Sequence, residues 1–134
     1  MTLFLFLACG HNAEVATDVA AQAPVEVAVE AAAVRDIDVA TLKADSEAGS
    51  VPVLVDVRTV DEFAEGHVPG AVNIPMDQLS ERAGELDKSQ DVYLICRSGG
   101  RSARAAGQLA ELGFSPVNVE GGTLAWIEAG HAVE

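Results

Sequence analysis

Val92-Tyr93-Leu94-Ile95-Cys96-Arg97-Ser98-Gly99-Gly100-Arg101-Ser102 is the stretch from which this chain is read. Its first four residues form a short apolar run of the kind that makes a strand buried on both faces. Two adjacent glycines follow, which let the backbone reach positive φ and curl tightly. From Arg101 to Leu112 the sequence reads as a helix closed by Gly113. Cys96 therefore stands at the carboxyl end of a strand, where open α/β sheets hold their sites. Successive N–H groups in such a turn converge as an anion-binding nest, reinforced by the positive end of the helix. A cysteine at the lip of that nest is expected to have a depressed pKa and to be largely thiolate.

Charge placement supports a site here. Three of the eight basic residues, Arg97, Arg101 and Arg104, fall together in a chain of net charge −13. The competing reading is a buried structural cysteine with solubilising arginines beside it. Strand end, glycine pair, helix start and arginines coincide, and that coincidence favours chemistry.

Working outward, Val53 to Val57 is a β-branched run after Pro52 and reads as another buried strand. Thr59 with Glu62 three residues later is a capping-box signature for a helix that Gly66 ends. Val68-Pro69-Gly70 turns the chain into a short strand, Ala71 to Ile74, and Asp77 to Leu86 reads as helical. Val117 to Val119 gives one more strand before a last helix from about Thr123 to Ala129. This β-α alternation implies an α/β fold, a parallel sheet with helices on both faces.

The N-terminal quarter reads differently. Met1 to Ala8 is apolar apart from Thr2, far short of the roughly 20 residues needed to span a bilayer. It is long enough to be the end of a secretory signal, and Leu7-Ala8-Cys9-Gly10 resembles a bacterial lipobox with Cys9 as the lipidated residue. No basic residue precedes the run, and Phe6 stands where that motif usually has leucine. Residues 10–35 are rich in Ala, Val and Glu and read as a tether before a domain spanning 36–134. Val25 to Val29 alternates like a weak edge strand, which is the competing view of that segment. The expected location is a bacterial envelope or periplasm, lipid-anchored through Cys9; a cytoplasmic protein with an apolar N-terminus is the alternative.

The 134 residues fit one domain. With 21 acidic against 8 basic residues, nucleic acid and electrostatic docking on anionic membranes are excluded as partners. Two cysteines, Cys9 and Cys96, make no disulfide framework, and with His11, His67 and His131 they show no metal-ligand spacing.

Cys96-Arg97-Ser98-Gly99-Gly100-Arg101-Ser102 resembles the active-site loop of the single-domain rhodanese sulfurtransferases. The likeness extends to Asp56-Val57-Arg58, Glu62-Phe63, Gly66 through Pro75, and Gly121-Gly122 with Trp126, in family order over about a hundred residues. It implies a rhodanese-like parallel sheet of about five strands with helices on both faces. It also implies a Cys96 persulfide that takes sulfur from thiosulfate or a similar small anionic donor and passes it to a thiol or cyanide. Ser98, Gly99, Gly100 and Ser102 would offer amides to the bound sulfur, and Arg97 and Arg101 would attract the donor. Arg101 bracing the loop is the alternative role. No cofactor and no metal are called for, and the chain is expected to be a monomer.

Asp56, Arg58 and Glu65 are expected to form a structural ion-pair set, His67 to hydrogen-bond backbone, and Trp126 to lie in the core. Two other chemistries remain. A persulfide carrier or redox-sensing module would use the same loop without turning over thiosulfate. Rhodanese-fold phosphatases and arsenate reductases place five residues between cysteine and arginine, whereas here four, Arg97 to Gly100, separate Cys96 from Arg101.

Overall fold

The computed structural model describes residues 33–134. Cys9, the apolar segment, Val25 to Val29 and nearly all of the tether lie outside the described residues. The order is β1 (Arg35–Ile37), α1 (Val39–Glu47), β2 (Leu54–Asp56), α2 (Val60–Glu65), β3 (Val72–Asn73), α3 (Leu79–Arg82), β4 (Asp91–Ile95), α4 (Gly100–Glu111), β5 (Ser115–Val119) and α5 (Gly122–Glu128). The five strands make one sheet in the order β1-β5-β4-β2-β3, and every pair is parallel. Arg35, placed in the tether by sequence, is already in β1, where it pairs with Val117.

β4 lies at the centre, and its side chains alternate between two cores. Val92, Leu94 and Cys96 pack toward Ala105, Ala106 and Leu109 of α4. Tyr93 and Ile95 pack toward Leu42 of α1 and Trp126 of α5. Both faces are therefore covered, which is why the strand reads as an unbroken apolar run. Pro116 sits in the part of β5 that β1 does not reach, since β1 pairing begins at Val117, and there a missing donor is tolerated.

One expectation changes in detail. Asp77 to Leu86 is not one helix: 3-10 turns at Met76–Gln78 and Ala83–Glu85 flank the four residues of α3. Gly84 weakens helix propensity at its end, and only Leu79 and Ala83 are buried to hold a face against the core. The first helix, α1, carries little apolar patterning in its sequence. Asp38 caps it by accepting from Thr41 N–H at 2.8 Å, but Leu42 is its one fully buried residue.

The chain leaves β2 toward β3 on one side and returns to β4 on the other. The crevice beyond the carboxyl ends of β2 and β4 is thus the switch point at which such sheets carry their sites. Asp56 and Ile95 stand opposite each other there, with Cys96 the next residue.

Candidate active site

The Cys96 loop is shaped by what happens to its carbonyl groups. The Cys96 carbonyl accepts from Thr123 N–H at 2.8 Å and Thr123 Oγ1–H at 3.2 Å, and the Arg97 carbonyl accepts from Leu124 N–H at 3.0 Å. All these donors belong to the first turn of α5. Close approach requires Gly122, with φ +59°, because a Cβ there would collide with both carbonyl oxygens. Gly99, at φ +106°, reverses the chain in the left-handed region and caps α4. With carbonyls drawn to α5, an amide is left for the sulfur: Gly99 N–H donates to Cys96 Sγ at 3.0 Å.

Cys96 is only 1% exposed and forms the floor of the cradle, while Arg97, Ser98 and Gly100 on its rim are exposed. Burial pushes the thiol pKa up. The Ser102 hydroxyl and the amides of Ser102, Gly99 and Ser98 outweigh that push, and the thiol is held below its ordinary value. A negatively charged sulfur is the species this cradle favours.

The arginines divide. Arg101 donates from Nη1 and Nη2 to the two carboxylate oxygens of Glu62 at 2.9 and 2.8 Å, a bidentate pair. The bracing role left open by the sequence is the contact Arg101 makes here. Arg97 and Arg104 are exposed and have no ion-pair partner among the described residues. Arg97 lines a groove of about 270 Å³ with Arg58, Glu65, Thr123, Leu124, Ile127 and Val133.

The neighbouring polar residues hold the frame. Asp56 and Arg58 are buried and bidentate, with Nε to Oδ1 at 2.9 Å and Nη2 to Oδ2 at 2.8 Å. Arg58 also donates to the Gly66 carbonyl, and Asn73 Nδ2 donates to the carbonyls of Asp56 and Arg58. Glu65 is exposed and outside this pair, so the expected three-residue set is a two-residue one. His67 lies flat on Phe63, with its Nδ1 3.0 Å from the Phe63 carbonyl oxygen, in a backbone-bonded turn. Trp126 is core, and its Nε1–H donates to the Ala132 carbonyl.

Three residues near the site were not singled out from sequence for these contacts. In the sequence Glu62 is legible as a helix cap and as part of the family likeness, not as the partner of Arg101. Asn118, buried on β5, and Asp36, opposite it on β1, join a chain to Ser102. The signal for Asn118 was a polar residue between Val117 and Val119 in a run otherwise fit for burial on both faces.

A model of the rhodanese-like domain matches residues 38–129. The chain belongs to the rhodanese-like family. Among curated relatives of this rhodanese-like chain, YtwF of Bacillus subtilis (strain 168), named provisionally as a sulfurtransferase, is 45% identical over 93 residues, covering 69% of this chain and 90% of that protein. An Allochromatium vinosum protein named sulfurtransferase is 42% identical over 79 residues, covering 58% and 74%. YrkF of Bacillus subtilis, named provisionally as a sulfur carrier, is 34% identical over 97 residues, which span 72% of this chain but 52% of YrkF. A rhodanese-related protein from Thermoplasma volcanium superposes with a TM-score of 0.69 at 35% identity, covering 75% of this chain and 97% of that one. The fold and sulfurtransferase-type chemistry therefore follow from membership together with the site.

Proposed function

We propose that this rhodanese-like domain moves sulfane sulfur from a small anionic donor of the thiosulfate type to a thiol or cyanide through a persulfide on Cys96. The thiolate attacks the outer sulfur of the donor, the donor S–S bond breaks, and sulfite leaves with the electron pair. The acceptor thiolate or cyanide then attacks the outer sulfur of the persulfide and returns Cys96 as thiolate, giving ping-pong kinetics. The observation that carries this reading is the Cys96 sulfur accepting an amide hydrogen bond at the floor of a cradle whose carbonyls are turned away. Burial of the sulfur favours a reagent with a narrow reacting end. Exposed Arg97 is suited to attract a dianion and to steady departing sulfite.

Thiosulfate:cyanide turnover tests the reading: activity is expected in the parent chain and none in Cys96→Ser. Sulfur carriage without thiosulfate turnover is the second reading, favoured by the name of YrkF. It predicts a persulfide on Cys96 and no catalysis from thiosulfate. Phosphate hydrolysis is disfavoured because Arg101, which an oxyanion enzyme would turn to its substrate, has both terminal nitrogens on Glu62.

A further inference from the structure

The groove beside the Cys96 loop carries two charges of opposite sign that the fold does not pair. Arg97 and Glu65 both line it, both are exposed, and neither has an ion-pair partner among the described residues. Arg58, the third charged residue of the lining, is committed to buried Asp56. The rest of the wall is apolar and open to solvent: Leu124 is 41% exposed, Ile127 51% and Val133 39%. That wall is held at both ends. Thr123 and Leu124 donate their amides to the Cys96 and Arg97 carbonyls, so the start of α5 is tied to the loop. Glu134 N–H donates to the His67 carbonyl at 2.9 Å, and its own carbonyl accepts from His67 N–H at 3.1 Å. This clasp seats Val133 against Gly66, where a Cβ would stand 3.4 Å from Val133 Cγ2. At about 270 Å³ the groove is just below the size of pockets for drug-sized ligands, which suits a smaller molecule.

We propose that this groove seats the sulfur acceptor, and that Glu65 selects small thiols carrying both an ammonium and a carboxylate, those of the amino-acid and short-peptide kind. Glu65 takes the ammonium, Arg97 takes the carboxylate, and the carbon stem lies on Leu124, Ile127 and Val133. The proposal rests on the reading of Cys96 as the persulfide carrier, whatever the donor. Ping-pong order lets one guanidinium serve both halves, because sulfite has left before the acceptor enters. In the acceptor half the thiol gives its proton to solvent, its sulfur attacks the outer persulfide sulfur, and the S–S bond to Cys96 breaks. The electron pair of that bond returns to Cys96 as thiolate, and the acceptor departs as a persulfide. Glu65 takes no part in these bond changes and sets only which thiol is held, since complementary charge confers specificity. A diffuse acidic surface on a chain of net charge −13 would favour cations from any position, whereas a contact at Glu65 acts only there.

The test loads the full chain carrying Cys9→Ser with sulfur from inorganic polysulfide, removes excess reagent, adds a thiol and follows persulfide loss by intact mass. Three thiols are compared: L-cysteine with both charges, cysteamine with the ammonium alone, and β-mercaptopropionate with the carboxylate alone. Glu65→Gln should lower the rates with cysteine and cysteamine, relative to β-mercaptopropionate, by about 5-fold, the upper worth of an exposed ion pair. Glu65→Lys should lower those ratios further. Arg97→Ala should lower cysteine relative to cysteamine by a similar factor. Glu128→Gln removes an exposed carboxylate of α5 outside the groove lining and should leave every ratio at its parent value. Unchanged ratios in Glu65→Gln, the same fall in Glu128→Gln, or an equal effect of Arg97→Ala on cysteine and cysteamine overturns the proposal. Ratios cancel the differences in thiol reactivity and in loading. Because polysulfide supplies the sulfur, failure of thiosulfate turnover is a separate result.

Discussion

Arg101 grips Glu62 through two parallel hydrogen bonds of 2.9 and 2.8 Å, tying the first turn of the helix behind Cys96 to the helix that follows β2. Glu62 at the same time completes the capping box with Thr59, so one carboxylate fixes two helix starts. The Arg101 hydrogen bonds hold its pKa far down, from 4.5 to about 2. A depressed folded-state value means that this stability is present above the unfolded value and lost as pH falls. Acid unfolding should therefore show a loss between about pH 4.5 and pH 2 that Glu62→Gln removes, with stability of the variant lower by about 1–3 kcal/mol at neutral pH. Urea titrations of both proteins across that range measure it.

Arg97 and Arg101 should separate by what they change. Arg97 is exposed and has no ion-pair partner among the described residues, so Arg97→Ala should leave the urea midpoint unchanged. Its loss should lower kcat/KM for thiosulfate roughly 10- to 150-fold, the worth of one charge-assisted contact, and less at high salt. Arg101→Ala should lower the urea midpoint as well. Steady-state kinetics beside denaturation curves distinguish the two.

The buried Asp56–Arg58 pair predicts a stability effect rather than a chemical one. Side chains of the two are 0% and 6% exposed, so Arg58→Ala strands a carboxylate in the core. Such a loss costs about 3–5 kcal/mol, readable as a lower urea midpoint.

Gly122 joins the loop to α5 so closely that any side chain must push the Cys96 and Arg97 carbonyls apart. Gly122→Ala should cost about 1–3 kcal/mol from its positive φ alone. It should also lower sulfur transfer in the fraction that remains folded, measured per folded molecule by circular dichroism and turnover together.

Much of this was legible before any coordinates, and the reasons are local. The run Val92 to Ile95, the glycine pair and the capping box of Thr59 and Glu62 state their geometry in neighbouring residues. The loop with Cys96 was legible for the same reason. What escaped is held by distant partners: nothing near Arg101 in the chain announces Glu62, and nothing near Ser102 announces Asn118 or Asp36. The α3 region escaped differently, since Gly84 and two buried contacts decide between one helix and a broken one.

The most direct test of the account is the intact mass of the full chain after exposure to thiosulfate and removal of excess reagent, without reductant. The account predicts a gain of one sulfur atom, lost on cyanide treatment, retained in Cys9→Ser and absent in Cys96→Ser. No gain in the parent chain, or the same gain in Cys96→Ser, would contradict it.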